Sequence, residues 1–215
     1  VSAEFIVLHE MGHAHNMPTL GYQEQESNVN LPAVAAYHLV YGYDRETEAL
    51  AASIDQGLSL KQAAVDWMLS PNFPQNERIS YDFEEWDQNW ESESVELNFV
   101  WNEVRYQSRG HARYVDLAIV CDQGDANSFG WEAVGKTHSL FYDLGSKAGE
   151  TFNYGTSDDD YIRKASYANG LNLAPLFHFW GVIPSDKLVV ELNSFLPKAI
   201  KFKDRLLYYE SIVPE

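Results

Sequence analysis

His9 and His13 stand four residues apart in the run His9-Glu10-Met11-Gly12-His13, and that spacing constrains the fold around them. In a strand the two imidazoles would be about 13 Å apart. On a helix, residues i and i+4 lie one above the other on one face. Val1 to Leu8 contain no helix breaker, and Phe5, Leu8 and Gly12 offer an apolar, closely packing side. A helix over about 2–16 is therefore expected, with both imidazoles on one face and Glu10 offset from it.

Two imidazoles so placed can reach one metal ion, and Glu10 can touch a water bound to it. Zinc lowers the pKa of such a water from ~16 to roughly 7. A neighbouring carboxylate can then take the proton and later hand it to a leaving amine. The pattern points to metal-assisted peptide hydrolysis, with His9 and His13 as ligands of one Zn2+ and Glu10 as general base. A plain helix with two surface histidines is the competing reading.

A catalytic zinc takes three protein ligands and a water, so a third ligand is needed. The arrangement in which HExxH continues to a second glycine and a third histidine would need Gly at 16 and His at 19, where this chain has Asn16 and Thr19. A loop with Asn16, Pro18 and Gly21 leads instead to a second expected helix, from about Glu24 to about Gly42. Glu24 and Glu26 are the candidates. Asn30, four residues after Glu26, favours Glu26, because it could hydrogen-bond a ligating histidine or Glu26 itself. Glu24 reads rather as a helix N-terminal carboxylate favoured by the helix dipole.

These stretches, HEMGHAHN and then GYQEQESNVN, resemble the enhancin-like, mucin-degrading zinc metallopeptidases, which are gluzincins with HExxH plus a glutamate. Ala63 to Met68, Asn72-Phe73, Leu173 to Phe177 and Phe179-Trp180-Gly181 are similar to that family too. Tyr106 to Gly110 and Phe129 to Glu132 resemble its bacterial immunomodulating metalloprotease branch. The resemblance implies that His9, His13 and Glu26 are the ligands and Glu10 the base. It also implies a secreted or cell-surface endopeptidase acting on O-glycosylated, mucin-like proteins. In such folds the strand that aligns substrate precedes the HExxH helix. Only eight residues precede His9 here, so the expectation is a mainly α chain, the helical C-terminal catalytic lobe of a zincin whose sheet-containing lobe lies upstream.

At 215 residues and 45% apolar content the chain can bury a substantial core. One domain of stacked helices over 1–215 is the simplest organisation. No apolar run reaches the length of a membrane span. A net charge of −17 argues against nucleic acid as a partner. The lone cysteine, Cys121, reads as a small buried apolar residue.

Local signals punctuate the rest. Asp44 caps a run through Ala51, and Ser59 caps Leu60 to Leu69. Residues 70–95 are irregular, and Glu96 to Tyr106 lean helical. Further helices are expected over His111–Cys121, Ser128–Leu144, Tyr161–Ala168, Leu173–Trp180, Asp186–Phe195 and from Lys198 to about Tyr209. Asp158, Asp159 and Asp160 follow Ser157, and they read as first-turn acids behind an N-cap. A calcium loop would need a different spacing.

Tyr106 and Arg109 lie in a polar segment and could contact substrate, steadying a developing oxyanion; for Arg109 a salt-bridge partner in this acidic chain is the favoured single reading. Trp131 is a further substrate-binding candidate. Trp67, Trp101 and Trp180 read as core, while Trp86 and Trp90 sit among acids and read as exposed. His38, His111, His138 and His178 read as structural. The rival function is a glycan- or glycoprotein-binding module with an incomplete peptidase site. A glycosidase is disfavoured, since that chemistry typically uses two opposed carboxylates.

Overall fold

The computed structural model describes residues 3–14, 19–20, 29–47, 59–69, 73, 111–124, 127–145 and 155–213. Within these the protein is mainly α. The helices are α1 (Ala3–Ala14), α2 (Leu31–Leu39), α3 (Leu60–Met68), α4 (111–121), α5 (Trp131–Gly145), α6 (Asp158–Asn169), α7 (Ala174–Phe179), α8 (Asp186–Phe195) and α9 (Ile200–Ile212). Two short strands, β1 (Thr19–Leu20) and β2 (Gly155–Thr156), pair in parallel, with Thr19 opposite Gly155.

Helix starts follow the capping signals. Ser59, Ser157 and Ser185 each accept a hydrogen bond from a first-turn amide, those of Gln62, Asp160 and Leu188. Asp44 accepts from the amides of Glu46 and Thr47 as well, but residues 45–47 form a turn and not the expected helix, and 48–58 lie outside the described residues. The three aspartates after Ser157 occupy the first turn of α6, where the helix dipole favours them. Asp159 cross-links by accepting from Ser185 at the start of α8, while Asp160 pairs with Lys164 one turn on in the same helix at 2.7 Å. Gly170 closes α6 with φ 65°, a left-handed conformation that glycine adopts without penalty.

Several boundaries differ from expectation, among them the start of α6 at Asp158 and the end of α9 at Ile212. α5 starts at Trp131 instead of Ser128, because Phe129 (φ 47°) and Gly130 (φ 82°) turn left-handed just before it. α9 starts at Ile200 because the backbone of Lys198 is engaged in a β-bridge with Asn172. α2 ends at Leu39, and its expected first turn at 24–28 lies outside the described residues.

The core gathers α4, which is buried along almost its whole length, with Leu60 and Ala64 of α3, Tyr161 and Ile162 of α6, Phe177 of α7, Leu188 and Leu192 of α8, and Tyr209 of α9. Trp180 is fully buried and Trp67 nearly so, and the Trp67 indole N–H donates to the Phe179 carbonyl. α5 packs along α6, and α1 packs on α2. No helix of the described residues is long and apolar enough to cross a membrane.

Candidate metal centre

All five residues of the HExxH run lie inside α1. At roughly 100° per residue, Glu10 sits about a quarter-turn from the His9 face, and its side chain is exposed. Phe5, one turn earlier, lies with its ring centroid 6.0 Å from that of His9.

The α1–α2 contact is set by Gly12. A Cβ at this position would stand 2.2 Å from the Val29 carbonyl oxygen and 2.7 Å from the Val29 Cα. Only glycine lets the two backbones approach this closely. The approach brings Asn30, the residue before α2, against His9: Asn30 Oδ1 lies 2.6 Å from His9 Nδ1. An amide oxygen can only accept, so Nδ1 carries the proton and donates. In the neutral ring the lone pair then belongs to Nε2, which matches the pattern in which a metal-bound histidine is held by a hydrogen bond on its other nitrogen.

Asn30 behaves unusually for its position. Asparagine is among the preferred N-cap residues, yet its side chain makes no cap hydrogen bond on α2. Its backbone carbonyl accepts from Ala33 and Val34 while its side-chain oxygen is used by His9. Asn30 is 6% exposed. A buried amide oxygen spent on a histidine, and not on its own helix, fits an imidazole that must be held in one tautomer and one orientation.

The remaining candidates are distributed as follows. His13 lies in α1 one turn beyond His9, and its side chain falls outside the described residues, as do Glu24 and Glu26. Tyr106 and Arg109 also fall outside them. Among the described residues no three potential ligands come together. Trp131 is 8% exposed, and its indole N–H donates to His38 Nδ1 at 2.9 Å. His38 is in the last turn of α2, roughly 12 Å along the axis from Asn30. Trp131 therefore joins α5 to the far end of α2.

Cys121 is buried, and burial pushes its thiol up to about 12, which keeps it protonated and unreactive. His138 is fully buried; desolvation lowers it to about 4, and its Nε2 meets the Tyr161 hydroxyl at 2.8 Å.

Sequence reasoning missed a buried polar network remote from α1. Asp116 of α4, 0% exposed, accepts from the Trp180 indole N–H at 2.9 Å, from the Tyr209 hydroxyl at 2.8 Å and from Arg205. Arg205 also reaches Glu46. Burial pushes the Asp116 carboxyl above its usual range, against the opposing pull of Arg205, Tyr209 and Trp180. The only local hint is that Arg205 and Tyr209 share a helix face. No protein-family model matches the chain, and no curated protein or solved structure is similar to it.

Proposed function

We propose that the protein is a zinc endopeptidase, with His9 and His13 of α1 as two ligands and Glu26 as the third. The observation that carries this reading is the hydrogen bond between His9 Nδ1 and Asn30 Oδ1, made by a histidine of an HExxH run whose helix is held by a glycine contact. A bound Zn2+ would supply Lewis acidity toward the scissile carbonyl and an acidified water. The chain's own residues do the rest. Asn30 holds the His9 ring. Glu10, offset from the ligand face, takes a proton and returns it to the leaving amine. The preferred substrate class, O-glycosylated mucin-like protein met outside the cell, rests on the resemblance of the HEMGHAHN and GYQEQESNVN stretches to enhancin-like peptidases.

The test uses one peptide in two forms, bare and carrying a Ser- or Thr-linked sugar, with and without a chelator. Chelator-sensitive cleavage of the sugared form alone supports both parts of the proposal. Cleavage of both forms keeps the zinc chemistry and removes the glycan requirement. Zinc binding without cleavage of either form favours a glycoprotein-binding module. Glu10→Ala is expected to keep zinc and lose turnover, since Glu10 acts on the water; retained turnover would sink the mechanism. Glu26→Ala should cut zinc affinity far more than Glu24→Ala, and the reverse order would move the third ligand to Glu24.

A further inference from the structure

Away from α1, the helices α7, α8 and α9 enclose a cleft of about 900 Å³. Its walls are mainly apolar, with Phe73, Phe179, Val189, Ile200 and Leu206 among them. Small-molecule sites typically span ~300–1,000 Å³ and combine apolar walls with a few placed polar groups. Beside Asn172, His178 and Asn193, the lining holds charged groups that are separated along α9. Lys198 precedes α9, Lys203 lies in its first turn, and Glu210 lies about two turns further on; all three line the cleft.

The lysine end is positive in a chain that carries 32 acidic residues against 15 basic ones. Among the described residues neither Lys198 nor Lys203 forms an ion pair, whereas Lys136 and Lys164 pair with acids on their own helices. α9 also opens on Ala199, which supplies no capping side chain, and it has no acid in its first turn. The amides of Ile200 and Phe202 donate to the carbonyls of Lys198 and Ala199, so the positive charge at this end comes from the two ammonium groups. An apolar trough with a cationic end selects a ligand that is apolar along its length and anionic at one end.

We propose that this cleft binds an amphipathic small molecule, an apolar chain ending in one anionic group such as a medium- or long-chain carboxylate. Lys198 and Lys203 receive the anionic end. The chain lies along Leu206, Val189 and Phe179 toward Phe73. Glu210 at the far end disfavours the reversed orientation and rejects a second anionic group.

The test is a calorimetric titration of the full chain with decanoate, decanol and decyltrimethylammonium, in the presence of a chelator so that carboxylate coordination to a metal cannot imitate binding. The expected result is saturable one-to-one binding of decanoate, at least tenfold tighter than either decanol or the cation. In Lys198→Ala/Lys203→Ala the decanoate affinity should fall at least tenfold while decanol is unchanged. Ile200→Glu, at a position 71% exposed and so tolerant of charge, should weaken decanoate by a similar factor. Lys61→Ala, which removes an exposed lysine from α3, should change nothing. Absence of saturable decanoate binding overturns the proposal. So does binding that ignores the two lysines, or a preference for the alcohol or the cation.

Discussion

Gly12 and Asn30 are the residues on which the candidate metal centre turns. The Val29 backbone fills the place where a Cβ on residue 12 would stand. Gly12→Ala leaves the ligand types intact and raises helix propensity by up to ~1 kcal/mol, yet it must push α1 away from α2. The contact between His9 and Asn30 opens with it. The expected outcome is lower thermal stability together with zinc affinity reduced at least tenfold, checked by a melting curve and a competitive chelator titration. A more stable variant with unchanged affinity would show that the close approach has no bearing on the metal. Asn30→Ala isolates the hydrogen bond. Removing such an outer partner typically costs about 10–100-fold in metal affinity or activity, so a loss in that range is expected, with the helical circular dichroism unchanged. Asn30→Asp should recover most of it, because a carboxylate accepts from His9 Nδ1 at least as well as an amide does. The sequence made both residues legible in different degrees. Asn30 stood out by its spacing from Glu26, whereas the fit of Gly12 against Val29 depends on a backbone approach that no local pattern encodes.

At the scale of elements, three helix starts were legible from the serine that marks each of them, while Asp44 marks a turn over 45–47. Ser59, Ser157 and Ser185 begin α3, α6 and α8 as their sequence context implies, because capping is a local interaction within four residues. The elements that long-range pairing decides were not legible. The β1–β2 ladder joins Thr19 to Gly155, and the late start of α9 follows from the bridge between Asn172 and Lys198. The Asp116 network is of the same kind: it ties α9 to α4 and to Glu46 through residues far apart in sequence. Asp116→Ala leaves the Trp180 and Tyr209 donors in a buried site without their acceptor and leaves the Arg205 guanidinium with Glu46 as its remaining carboxylate. Breaking one side of a buried charge pair costs about 3–5 kcal/mol. The expected result in urea is a stability lowered by that much at an unchanged slope. A cost under about 1 kcal/mol would mean that α9 is held by its apolar contacts alone.

At the scale of the whole molecule, the fold is expected to lose stability in acid, and His138 offers a way to measure it. Its ring is fully buried between α5 and α6, against Tyr114 and Tyr161, and desolvation lowers it to about 4 from an ordinary 6.5. The unfolded chain therefore takes up a proton here as pH falls through about 6.5, while the folded protein resists protonation until about 4. Between those values the unfolded state binds more protons, so stability falls as pH falls. Above about 6.5 this residue makes no pH-dependent contribution. Each pH unit separating the folded and unfolded values corresponds to about 1.4 kcal/mol, so the loss attributable to His138 across the window is on the order of 3 kcal/mol. The excess of acidic residues acts in the opposite sense over part of the range, since protonating exposed carboxylates relieves self-repulsion. The comparison that separates the two is the wild-type protein against His138→Gln, each unfolded in urea at pH 7 and pH 4.5. The variant keeps a group that can accept from the Tyr161 hydroxyl but cannot charge. Its stability should be lower at pH 7, where the native packing is lost. Between the two pH values it should lose about 2 kcal/mol less than the wild type. Parallel losses in the two proteins would show that the His138 ring reaches solvent when protonated and leaves the core without unfolding it.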